Sequence, residues 1–224
     1  MAAAKATAKA RLRRAQRKVR AHGDESRTRI LDAATQIAGE RGYDGTSVAL
    51  VSERSGLPAS SIYWHFESKD QLIAAVIERS FHRYLERMRA WVRPREGAGR
   101  DELFEAMIRS AAAAITEAPD FLRLGLMLVL ERRPEEATAR RMFLQVREQA
   151  YKGIVASYEA FFEGVLDAAD VWALATLTMA AADGFFIAHE VGPARVDLDD
   201  AFELLAKALL GAARALCARS KARR

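Results

Sequence analysis

Residues 47–69 constrain this chain more than any other segment. Thr46-Ser47 offers hydroxyls at the start of a helix over roughly Val48 to Arg54, a run too short to stand alone in water. Gly56 supplies the backbone freedom of a tight turn, and Pro58 suits the first position of the next helix. Val51, Leu57, Ile62 and Phe66 are spaced to form the small core that locks two helices at a steep angle. Ser68-Lys69-Asp70-Gln71 then matches a capping box and opens a further helix. Two short helices pinned around a glycine turn, with aromatics and a lysine behind them, are how a chain sets a helix in a DNA groove.

With the apolar positions turned inward, Ala59, Ser60, Ser61 and Tyr63 are left to face the groove or its walls. Tyr63 and His65 have donors for phosphate oxygens, as do Thr46 and Ser47 at the head of the second helix. Lys69 adds a charge beside the free N–H groups of another helix start. A plain helical hairpin with core aromatics fits the generic pattern equally well.

The rest of the chain reads as all-α. Half of the 224 residues are hydrophobic, Pro and Gly are sparse, and no alternation of period two persists. Ile30, Leu31, Ala34, Ile37 and Ala38 give one apolar face to a helix over about 27–41, which Gly42 stops. A long helix is expected over 69–92, roughly 36 Å at about 1.5 Å per residue. Further helices are expected over 101–117, 120–132, 134–163, 167–190 and about 198–219. The expected organisation is a basic flexible arm (1–26), a helix-turn-helix DNA-binding domain (27–72) and a larger helical effector-binding and dimerisation domain (73–224).

Gly56-Leu57, Ile62-Tyr63-Trp64-His65-Phe66 and Ser68-Lys69-Asp70-Gln71-Leu72 resemble the signature of the tetracycline-repressor (TetR) family of bacterial regulators. Arg41-Gly42-Tyr43 and Thr46-Ser47 stand where that family has counterparts, so the resemblance covers about residues 27–72. Beyond it, only the architecture and Asp183-Gly184 in the penultimate helix are similar. The resemblance implies phosphate contacts at Thr46, Ser47, Tyr63, His65 and Lys69, with residues 58–63 in the major groove. Departures stand beside it. Ser52 and Ser55 replace packed alanines, and each is expected to bond back to its own helix. Ala49, Ala59 and Ser60 replace an arginine, a longer polar residue and a glycine common in the family, so the reading face has no Arg, Asn or Gln. Bidentate base readout is therefore unavailable there. Specificity has to come from serine contacts, thymine-methyl contacts by Ala59 or Tyr63, DNA shape, or the arm.

The arm holds the charge. Residues 1–26 carry eight Lys/Arg against Asp24 and Glu25, a net +6, while the remaining residues sum to −1. A solvated extension and an organelle transit peptide compete with the reading preferred here. That reading has Arg11, Arg13, Arg14 and Arg17 entering or bordering a minor groove. The longest nearly uncharged segment, Val171 to Ala188, is shorter than the ~20 residues of a typical membrane span and contains Asp183. It is expected as a buried helix of a soluble, cytoplasmic protein without membrane contact. The single cysteine, Cys217, excludes an internal disulfide and a cysteine-based zinc cage, and no cofactor or metal is expected.

Two further surfaces are expected. In the last two helices, Ala173, Leu177, Ala181, Gly184 and Ala188, then Leu205, Ala208, Leu209, Gly211, Ala212, Ala215 and Leu216, suit a homodimer interface built as a four-helix bundle. An intrachain core suits the same composition, and the family resemblance favours the dimer. A twofold dimer needs a near-palindromic operator. Phe104, Met107, Phe121, Met127, Phe143, Trp172, Met179 and Phe186, with Asp183 and His189, are candidates for a pocket. Core packing explains such residues more often, and Asp183 reads as a paired acid slightly better than as a ligand contact. By resemblance the pocket takes an apolar small-molecule effector. Catalysis is not expected: no Ser/His/Asp array, HExxH or glycine-rich phosphate loop is present. The expectation is a ligand-responsive DNA-binding transcriptional regulator, a repressor. An architectural DNA-binding protein or a helical interaction protein is the alternative.

Overall fold

The computed structural model describes residues 23–91, 97, 99–117, 119–130 and 137–222. All regular structure among them is helical. The helices are α1 (23–41), α2 (Val48–Ser55), α3 (Ala59–His65), α4 (Lys69–Trp91), α5 (Arg100–Glu117), α6 (Asp120–Leu130), α7 (Thr138–Phe161), α8 (Ala168–Val191) and α9 (Leu198–Ala222). The chain is a helix-turn-helix head followed through the long helix α4 by a larger helical domain, as expected.

The chain forms two compact units. The first holds the residues up to Ile77 together with Leu124–Arg140; the second holds Glu78–Arg123 and Arg141–Arg224. The expected division at residue 72 puts 124–140 wholly in the second domain. Two local interactions explain its place in the first. A Cβ added at Gly42 would lie 2.7 Å from Met127 Cε, so Met127 packs on the turn after α1. The N–H groups of Thr138 and Ala139 donate to Asp70 at 2.5 and 3.1 Å.

In the first unit, Ile30, Leu31, Ala34, Ile37 and Ala38 of α1 are all buried. Burying each Ile or Leu side chain contributes roughly 1.5–3 kcal/mol, more than enough to offset the weak intrinsic helicity of α2 and α3. The α2–α3 turn follows from sequence. Ser47 Oγ accepts from Leu50 N at 3.2 Å, and Gly56 adopts the left-handed conformation at φ 65°. Pro58 takes the N-cap position, one residue before the expected place. Ser55 does bond back, to Ser52 O at 3.4 Å, but Ser52 reaches forward across the turn to Leu57 O at 2.7 Å. Both hydroxyls thus brace the turn.

In the second unit α9 packs on α5 and α8. Asp167 and Asp197 cap α8 and α9 through the N–H groups of Asp170 and Asp200. Phe104 sits in an aromatic nest with Tyr158, Phe161 and Phe162 at 4.9–5.5 Å. Helix α8 is long and apolar enough to cross a membrane by length and composition alone. The expectation that it is buried holds for one side only. Val171, Leu174, Ala175, Thr178 and Phe186 are inside, whereas Trp172, Leu177, Ile187 and Val191 are 44–84% exposed.

Candidate nucleic-acid interface

The α3 helix is anchored by its inner face. Ile62 and the following Phe66 are buried, as is Val51 of α2. The 3.6-residue repeat then turns Ser60, Tyr63 and Trp64 outward, with Ala59 and Ser61 half-buried between them. Tyr63 is 57% and Trp64 74% exposed. An aromatic pair this open on a helix seven residues long is an unusual expenditure of apolar surface. The sequence places Trp64 only in the family signature and gives it no outward role. Its position two residues from both Ile62 and Phe66 is the signal that it faces out.

The flanking donors divide. Ser47 caps α2 and keeps its own hydroxyl proton at the helix start. Lys69 Nζ donates to Tyr43 O at 3.2 Å and lies 4.3 Å from the Tyr43 ring, with further N–H bonds left on the ammonium. Two expectations need correcting. Thr46 is buried and donates its hydroxyl to Gly42 O at 2.8 Å, so its side chain closes the α1 turn and has no path to a phosphate. His65 Nε2 lies 2.8 Å from Ser26 Oγ. Ser26 spends its one proton on Gly23 O, so the imidazole N–H donates to it and His65 ties α3 to α1. Burial, reinforced by Arg27, lowers the His65 pKa. Arg11, Arg13, Arg14 and Arg17 lie outside the described residues.

Asp70, one residue past Lys69, is a hub that sequence reading missed. It accepts from the N–H groups of Thr138 and Ala139 at the start of α7, and from Tyr43 Oη at 3.1 Å. Burial pushes its carboxyl up, but these donors outweigh it and hold the pKa below the ordinary value. The partners lie 68 and 69 residues away, a separation no local pattern encodes. Over residues 23–77, five Lys/Arg (Arg27, Arg29, Arg41, Arg54, Lys69) face eight Asp/Glu, a net −3. Arg54 pairs with Glu40 at 2.7 Å and Arg29 donates to Ser55 O at 2.6 Å. The head is therefore not basic on its own.

The second unit holds a cavity of about 450 Å³ lined by α4, α5, α6, α7, α8 and Phe202 of α9, and partly open to solvent beside the exposed Gln149, Gly153 and Ser157. Of the expected pocket residues, Met107, Phe121, Met179 and Asp183 line it. The others are elsewhere. Phe104 fills the aromatic nest, Phe143 and Phe186 are buried in packing, and Trp172 is exposed against Tyr151 at 5.3 Å. His189 Nδ1 bonds Val196 O at 2.8 Å, and Met127 belongs to the first unit. Tyr84, Arg147 and Tyr158 line the cavity and were not foreseen. Among the described residues no group of three or more His, Cys, Asp or Glu is arranged to hold a metal.

An uncovered apolar strip runs along α8 and α9. Ala173, Leu177, Gly184, Ala208, Gly211 and Ala215 are exposed on it, with Ala181, Ala188, Ala212 and Leu216 half-buried at its edge. Leu205 and Leu209 are buried within the chain, so they belong to its core and not to the strip. Ile187 and Leu204 extend it instead.

Residues 30–76 match the profile of the bacterial regulatory proteins of the tetR family. The chain is 33% identical over 64 residues to the HTH-type transcriptional regulator AcrR of Shigella flexneri, covering 29% of this chain and 30% of that protein. It is 38% identical over 64 residues to UidR of Escherichia coli K12, covering 29% of this chain and 33% of that one. These matches span about a third of the curated relatives' length. Solved structures extend the likeness in fold. A putative transcriptional regulator of Pseudomonas aeruginosa PAO1 has a TM-score of 0.68 at 17% identity, covering 86% of this chain and 94% of its own. The regulator FadR of Bacillus subtilis, in complex with stearoyl-CoA, has a TM-score of 0.66 at 15% identity over 81% of this chain and 96% of its own.

Proposed function

Since residues 30–76 match the bacterial regulatory proteins of the tetR family, we propose that the chain is a ligand-responsive DNA-binding transcriptional regulator acting as a repressor in the bacterial cytoplasm. One observation carries this reading. A short helix is anchored by Ile62 and Phe66 while Ser60 and Tyr63 stand clear on its opposite side, with Ser47 and Lys69 at the starts of the preceding and following helices. Small hydroxyl side chains let that helix approach base-pair edges closely, and the flanking donors suit phosphates.

The α8–α9 strip supports a homodimer. Two twofold-related strips would close as a four-helix bundle, with Ala and Gly permitting close approach. A dimer then reads a near-palindromic operator with half-sites one helical turn or a multiple apart. The cavity supports an apolar small-molecule effector, a use consistent with the stearoyl-CoA held by the Bacillus subtilis FadR. Helix α4 contributes Leu72 and Ile73 to the first unit and Phe81 and Tyr84 to the second. An effector that displaces α4 would respace the reading heads, and by linkage it binds the DNA-free form more tightly.

Footprinting of the full chain on DNA fragments of its own genome tests this reading. The expected result is protection of one or a few discrete inverted repeats. Broad, sequence-independent coverage favours an architectural protein, and no protection at low salt rejects the DNA-binding reading altogether.

A further inference from the structure

We infer that the cavity of the second unit selects an electrically neutral apolar molecule bearing a hydrogen-bond acceptor, such as a ketone, ester or lactone carbonyl, and rejects carboxylates and ammonium ions of the same size. This rests on the proposed effector role of the cavity.

The charge balance of the wall carries the first half of the inference. Among the described residues, Arg147 and Asp183 are the only charged side chains lining the cavity. Arg147 Nη1 donates to Asp183 Oδ1 at 2.6 Å and Nη2 to Oδ2 at 2.5 Å, a bidentate pair with each partner about one-fifth exposed. The two charges cancel within the wall. An incoming carboxylate has to compete with Asp183 for the guanidinium or lie beside an anion. An incoming ammonium has to do the converse beside Arg147. Either leaves an uncompensated charge against a mostly apolar wall, which is costly.

The unspent donors carry the second half. Tyr158 Oη is 2.7 Å from Thr178 Oγ1, and Thr178 passes its own proton to Leu174 O at 2.8 Å. The phenol therefore donates to Thr178, and that chain is closed. Tyr84 differs. Its ring is fixed against Phe121 at 5.0 Å and stacked on Phe81 at 6.4 Å, yet its hydroxyl has no partner among the described residues. Burial pushes the Tyr84 phenol up, so it stays a donor at neutral pH. Asp183 also takes only two of the five N–H bonds of Arg147. The acceptors of the lining, Gln149 and Ser157, are exposed, whereas the Tyr84 and Arg147 donors lie in the half-buried part of the wall, and a guest with a carbonyl oxygen answers them. A volume of about 450 Å³ lies within the range of small-molecule sites.

The test uses the full chain and displacement of the neutral fluorophore N-phenyl-1-naphthylamine by 2-decanone, decanoate and decylammonium at pH 7.5. The ketone is expected to displace the dye at a concentration at least tenfold lower than either ion. Tyr84→Phe, which keeps the ring packing, is expected to weaken the ketone about three- to tenfold. Asp183→Asn, which leaves Arg147 without its counter-ion, is expected to reverse the order in favour of decanoate. Either ion matching the ketone on the unaltered protein overturns the inference, as does a ketone affinity unchanged by Tyr84→Phe or an order unchanged by Asp183→Asn. Failure of the dye itself to bind removes the effector pocket along with it, which separates the two readings.

Discussion

Gly45 has no room for a side chain: an added Cβ would lie 2.4 Å from the Arg41 carbonyl oxygen and 2.6 Å from Arg41 Cβ. The first clash is with backbone, which cannot swing aside. Gly45→Ala is therefore expected to destabilise the head by roughly 1–3 kcal/mol, read as a lower midpoint in urea unfolding. His65 gives a pH dependence. Its pKa in the folded chain is lowered, so the unfolded chain binds the proton more readily. Its favourable contribution is complete above the ordinary histidine value near 6.5 and is lost as pH falls through the lower folded value. Thermal unfolding of the native chain should thus weaken between pH 7 and 5 more than that of His65→Gln. Equal slopes for the two would show that the imidazole is not enclosed as described.

At the level of helices and segments, periodicity made α1, α4, α5 and α9 legible, and Gly56 made the turn between α2 and α3 legible. What escaped is the partner a polar side chain chooses. Thr46 and His65 bear the right donors at the right spacing for phosphates, but a carbonyl four residues back and a serine on α1 claim them first. The Asp70 hub joins residues brought together only by folding. The arm is a prediction in its own right, because residues 23–77 are net negative. Removing residues 1–20 is expected to weaken DNA binding and to flatten its salt dependence by about 0.9 log unit per lost phosphate contact. A salt slope unchanged by the truncation would assign the electrostatic grip to the head alone.

For the molecule as a whole, the apolar strip on α8 and α9 has to be covered for the proposed function to operate with twofold symmetry. Leu177 is 46% exposed on it. Leu177→Glu places a charge where a second chain would seal it from water, and the dimer dissociation constant is expected to rise at least tenfold in sedimentation equilibrium. A monomeric native chain would refute the dimer directly. The central claim is that the outer face of α3 reads base pairs. Selection of bound duplexes from a random-sequence pool, run in parallel on the native chain, Ser60→Arg and Lys69→Ala, tests it most directly. The account predicts that Ser60→Arg recovers a different preferred sequence within each half-site, while Lys69→Ala recovers the native sequence with uniformly weaker binding. The same preferred sequence from the native chain and Ser60→Arg would contradict it.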